Sequence, residues 1–152
     1  MAYAIAAYLH FLAIFVLFAL LVLEHQLFRP SLSFERARSL FRIDVAFGIA
    51  AALVLATGLA RVIWFGKGLE YYLQNSAFHA KVGLFVLVAL LSIYPTVTFL
   101  GWRRHLKAGQ APALSDARAR WVKMTIRLEL LLFLFIPLAA ALMARGIGVI
   151  AR

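Results

Sequence analysis

The stretch AYAIAAYLHFLAIFVLFALLVL, Ala2–Leu23, decides the fold. It contains no Asp, Glu, Lys or Arg, and its one imidazole is His10. An α-helix rises 1.5 Å per residue, so about 20 apolar residues cross the roughly 30 Å of bilayer hydrocarbon. Four runs reach that length: Ala4–Leu23, Val45–Trp64, Phe78–Trp102 and Val122–Ala144. Over all 152 residues the hydrophobic fraction is 65% and the mean hydropathy is +0.94. A chain this short cannot hide so much apolar surface from water, and the runs lack the polar stripe of a soluble helix. The sequence predicts an all-α integral membrane protein, a single domain built as a four-helix bundle.

The flanks of the first run sharpen this reading. No basic segment precedes it, and it ends in Glu24-His25-Gln26 instead of a small-residue cleavage site. It is therefore expected to be a retained span and not a cleaved signal peptide. Cysteine is absent, which removes thiolate metal sites and covalent CxxCH haem attachment.

The formal net charge is +10, and its distribution assigns a topology. Arg29, Arg36, Arg38 and Arg42 lie between the first two runs against Glu35. Arg103, Arg104, Lys107, Arg118, Arg120 and Lys123 lie between the last two, with Arg127 just inside the fourth run, against Asp116. The middle loop region carries only Arg61, Lys67 and Lys81 against Glu70. Basic loops stay on the cytoplasmic side. Both termini are then expected outside, in an up-down-up-down bundle of the bacterial inner membrane. The charge reads as topology and attraction to anionic lipid, so no nucleic-acid partner is expected.

Local signals place the connections. Pro30-Ser31-Leu32-Ser33 should end the first helix and offer Ser33 as the N-cap of the second. Gly109 to Pro112 is a break, after which Ser115-Asp116 can cap the fourth. Trp64, Phe65, Tyr71, Tyr72 and Phe78 at one boundary, with Trp102 and Trp121 at the other, read as the two interfacial aromatic belts. Pro95 and Pro137 fall inside spans, where Ser92, Thr96 and Thr98 are available to satisfy carbonyls that the prolines free. Gly48, Ala51, Ala52 and Gly58 permit close helix approach, within the bundle or between protomers of a homo-oligomer.

Two constellations have chemical potential. His10 lies roughly 10 Å down the first helix, and His79 opens the third near the same membrane surface. Helices one and three of such a bundle face each other across its core. The two imidazoles at matched depth are therefore candidate axial ligands of a haem iron, with Ala6, Ala7, Ala13 and Gly83 leaving room and Arg61 placed for a propionate. Lys81 is two residues from His79, about 200° around the helix, so only one of the pair can face the core. If Lys81 faces inward, a reactive site with His10 replaces the bis-histidine arrangement. The second constellation is Glu24, His25, Asp44, Arg127 and Glu129 near the basic loops. It reads as charge pairing of Glu24 or Asp44 with Arg127, or else as a carboxylate–histidine metal site or proton entry. His105, in a basic loop, is expected to be solvated.

The stretches FHAKVGLFVLVAL, Phe78–Leu90, and YLHFLAIFVLFALLVLEHQLFRP, Tyr8–Pro30, resemble the third and first helices of HemJ-type protoporphyrinogen oxidases, and the general plan is similar to CopD-type copper-resistance membrane domains. The combination of TGLARV, the YY and N-x-x-F-H-A-K cluster, PT in the third run and the WRR exit resembles an uncharacterised family of small bacterial four-span membrane proteins. The HemJ resemblance implies haem b, a porphyrin substrate and a redox partner, with His10, Arg61 and Lys81 as the matching functional positions. Two functional classes therefore stand open. One is a haem-b membrane oxidoreductase or electron carrier; the other is a non-redox transporter, metal carrier or accessory subunit using the carboxylate cluster.

Overall fold

The computed structural model describes residues 1–29 and 31–150; Pro30, on which part of the expected first break falls, lies outside the described residues. Four long helices carry the chain across: α1 Ala2–Leu27, α2 Phe34–Ile63, α4 Ser76–Gly101 and α6 Asp116–Ala144. Two single-turn helices, α3 Leu69–Leu73 and α5 Arg103–Lys107, sit in the second and third connections. All four long helices are long and apolar enough to span a membrane.

Capping follows the sequence. Ser33 Oγ accepts the Arg36 amide at 3.3 Å and Ser115 Oγ accepts that of Arg118 at 3.4 Å. Each satisfies one of the amides a helix start leaves without a partner. α2 then runs unbroken for 30 residues, beginning well before its apolar portion.

The helices form a ring in which α1 lies along α2 and α4 along α6, with lighter α1–α6 and α2–α4 contacts. The diagonals are α1 against α4 and α2 against α6, as expected for antiparallel neighbours joined by short loops. Buried positions follow the 3-4 spacing of a left-handed seam. On α6 they are Ala119, Val122, Ile126, Glu129, Phe133 and Ile136, and on α2 Ala37, Leu40, Asp44 and Phe47. The outer surface of the spans is largely apolar, with Phe15 70% and Leu134 61% exposed, a surface suited to lipid.

Packing is uneven along the axis. At the basic-loop end Phe28, Phe99 and Trp102 form an aromatic plug, with Phe99 4.8 Å from Trp102 and 6.1 Å from Phe28 between ring centroids. Trp102 is thus core and not part of a belt, and so is Tyr72 at the opposite end, whereas Trp64 and Trp121 remain exposed. At that opposite end α1 has no buried residue before His10 and α4 none before Val88. The bundle is tight at its basic end and loose where the termini lie.

A short latch ties the loose end. Val149 bridges Asn75, the Gly148 carbonyl accepts the Ser76 amide at 2.8 Å, and the Ile150 amide donates to the Gln74 carbonyl at 2.9 Å. Gly148 has φ +91°, and a Cβ there would lie 2.7 Å from Ser76 Oγ. A β-branched residue resists that backbone conformation. Gly148→Val should release the latch at a local cost of about 1–3 kcal/mol. Hydrogen exchange read by mass spectrometry should then show the Ser76 and Ile150 amides exchanging about ten-fold faster, with the spans unchanged.

Candidate functional site

The seam positions of three helices converge on carboxylates. Glu24 on α1, Asp44 on α2 and Glu129 on α6 are 1%, 3% and 0% exposed, and their charges act on one another. Thr96 of α4 donates to Asp44 Oδ1 at 2.6 Å, so all four long helices contribute. Among the described residues, Asp44 Oδ2, Glu24 Oε1 and both Glu129 oxygens have no hydrogen-bond partner.

The cation expected beside them is elsewhere. Arg127 is exposed and its Nε donates to His25 Nε2 at 3.4 Å, joining α6 to α1 at the rim of the cluster. The expected pairing of Arg127 with Glu24 or Asp44 is therefore corrected. Arg127 and Glu129 are two residues apart on one helix, so burying the glutamate turns the arginine away. Among the described residues no three His, Asp or Glu side chains are disposed to hold a metal ion.

Thr96 was expected to serve a carbonyl freed by Pro95. It bonds Asp44 instead, while Ser92 Oγ donates to the Ala89 carbonyl and Thr98 Oγ1 to that of Tyr94.

At the loose end His10 is buried and Nδ1 lies 2.9 Å from Thr57 Oγ1. Thr57 donates its single hydroxyl proton to the Leu53 carbonyl at 2.6 Å. Its oxygen must then accept from His10 Nδ1–H, which leaves the imidazole Nε2 with a free lone pair. Gly58 makes the approach possible, since a Cβ there would lie 3.2 Å from His10 Cε1.

His79 is exposed, its Nε2 2.9 Å from the Leu73 carbonyl oxygen, and Gly83 on the same face meets open space. Lys81 is the half-buried member of that pair, within electrostatic range of His10 and Arg61. Arg61 stacks its guanidinium 5.5 Å from the Phe11 ring and keeps a buried Nε without an acceptor. The structure thus brings His10, Arg61 and Lys81 together, and turns His79 toward its own loop.

Thr57, Gly58 and Thr96 were not singled out from the sequence for these contacts. The available signal was a hydroxyl at a seam-facing position inside an apolar run, where it must bond a backbone carbonyl or a neighbour. His105 lies in an open cleft at the basic end.

A protein-family model described as "Predicted membrane protein (DUF2214)" matches residues 2–148, and the chain belongs to this family. No curated protein and no solved structure matches it.

Stability tests separate a structural from a functional acid cluster. Replacing even a buried ion pair by hydrophobes of similar volume is often neutral or stabilising by about 1–4 kcal/mol, and a buried carboxyl without a cation has less to lose. Glu129→Met should raise the thermal midpoint in detergent. Thr96→Val, which strips Asp44 of its donor, should cost about 1–3 kcal/mol. A lower midpoint for Glu129→Met would show that Glu129 holds the bundle together.

Proposed function

Proceeding from a four-span member of this membrane family, we propose that the protein moves protons across the membrane, with Glu24, Asp44 and Glu129 as its proton-exchanging group. The observation that carries this reading is three buried carboxyl groups on three helices with no cation among them in the described residues. Unpaired ionisable groups at membrane depth are costly, and they mark ion and proton paths. Charge balance in so dry a site is met by the protons it exchanges. His10, with its free Nε2, is the proton-accepting group toward the other end of the bundle. It lies fourteen residues, about 21 Å, from Glu24 along α1. Leu17, Leu21, Phe47 and Phe133 are buried between these levels. Crossing that apolar layer is the gated step. By the charge rule the acid cluster opens to the cytoplasm and His10 toward the outside of a bacterial inner membrane.

The test is proton uptake into liposomes that contain a trapped pH dye, driven by a potassium diffusion potential. Protein-containing vesicles should acidify at least about ten-fold faster than protein-free ones. Glu129→Gln should return the rate to the protein-free level while eluting as a single folded species. Equal rates with and without the wild-type protein refute the reading.

A second reading, haem b ligation in an electron-transfer or porphyrin-oxidising protein, is favoured by His10. Its Nδ1–H is held by Thr57 as the outer nitrogen of a metal-bound histidine usually is, and Nε2 would be the atom that holds the iron. Arg61, with its unpaired Nε, would hold a propionate. His79 does not fit as a second residue to hold it, because its ring is exposed and engaged with Leu73. A bound haem would supply one-electron chemistry, for which a redox partner is then required. Purified protein loaded with haem should show a Soret band that His10→Ala abolishes and His79→Ala spares. A preparation that stays colourless after haem addition excludes this reading.

A further inference from the structure

The third connection leaves a cleft between the end of α4, α5 and the start of α6. Its volume is about 300 Å³, and its walls include Tyr94, Val97, Trp102, His105, Pro112 and Arg118. These walls differ in kind. Val97 is 61% and Tyr94 42% exposed on the apolar outer face of α4. His105 and Arg118, the basic part of the lining, follow in the chain after the apolar run of α4 ends at Trp102. The floor is closed by Trp102, only 5% exposed, and by buried Pro112.

We propose that this cleft binds an anionic phospholipid from the leaflet at the basic end of the bundle. The phosphate lies against Arg118 and His105, and an acyl chain runs along Val97 and Tyr94. The inference is independent of the proton-transfer reading, because none of these residues belongs to the acid cluster.

Position and charge both select this occupant. The cleft straddles the boundary at which hydrocarbon gives way to headgroups. A soluble anion would use only the basic wall and leave the lipid-facing wall without a role. Arg103, Arg104 and Lys107 of α5 and Arg120 of α6 add positive charge around it, and Asp116 is the one acid in the segment from Arg103 to Lys123. Basic pockets between spanning helices at this level suit acidic headgroups. Arg118 presents the forked donor set that phosphate oxygens accept. Pro112 and the Gly109 turn, φ +70°, bring the loop back over the cleft.

The chain has three tryptophans, Trp64, Trp102 and Trp121. The two exposed ones can be replaced by Phe, leaving Trp102 as a reporter on the cleft floor. In bilayers doped with bromine-labelled lipids, brominated phosphatidylglycerol should quench Trp102 at a mole fraction about five-fold lower than brominated phosphatidylcholine, the effect of one basic group at a charged surface. Arg118→Gln should abolish that preference. Native mass spectrometry of the unaltered chain should show phosphatidylglycerol retained over phosphatidylcholine, which guards against a reporter variant that fails to fold. Equal quenching by the two lipids, with equal retention, overturns the proposal. So does displacement of phosphatidylglycerol by inorganic phosphate alone, which would make the site one for a soluble anion.

Discussion

Burying three carboxyl groups within electrostatic range of one another is the constraint on which this bundle turns. Glu24, Asp44 and Glu129 each occupy a seam position that an aliphatic side chain would fill at lower cost. A carboxylate removed from water costs several kcal/mol even after local relaxation, and among the described residues no lysine or arginine pairs with these acids. The helices must therefore be held by something else. The Phe28–Phe99–Trp102 plug and the Val122–Ile126 stretch of α6 supply that packing directly beside the acids. Between transmembrane helices, tight packing takes the part that the hydrophobic effect plays in water, because lipid tails are as apolar as the side chains they contact.

From this the axial asymmetry follows. The end that must hold the acids together is densely packed. The opposite end has few buried side chains, carries His10, Arg61 and Lys81 in a half-open setting, and is closed by a latch made of backbone hydrogen bonds. Local opening has the lowest free energy where buried apolar contact is sparse. Motion is therefore expected where His10 meets its surroundings, while the carboxylate end stays fixed. A gated crossing of the apolar layer needs one end that gives and one that holds.

Much of this is legible in the sequence, and what is not has distinct physical causes. The four spans, both serine caps and the ring order follow from run length, cap chemistry and loop length. Which face each helix turns inward does not, because a run that is apolar all round has no polar stripe to orient it. The sequence does not tell His79 from Lys81 for that reason; the contact of His79 with Leu73 of α3 and the partial burial of Lys81 separate them. Trp102 looked like an interfacial residue because it lies at a span boundary. Its burial depends on α5 folding back, a tertiary event with no local signal.

The Arg127 error is different, because the rule that exposes it was already in use. Residues two apart on a helix point about 200° away from each other, which was the ground for separating His79 from Lys81. Applied to α6, the same rule forbids Arg127 and Glu129 from sharing the core. The heptad spacing of Ala119, Val122, Ile126, Phe133 and Ile136 then selects the glutamate as the inward member, since it alone falls on the seam. By the same spacing Asp44 continues Ala37 and Leu40, and Glu24 continues Leu17 and Leu21. Three acids on three seams, each chosen by periodicity and none by charge pairing, are what the proposed exchange of protons requires. A structural ion pair would have placed its cation on a seam as well, and in this chain the arginine nearest the acids stands outside it.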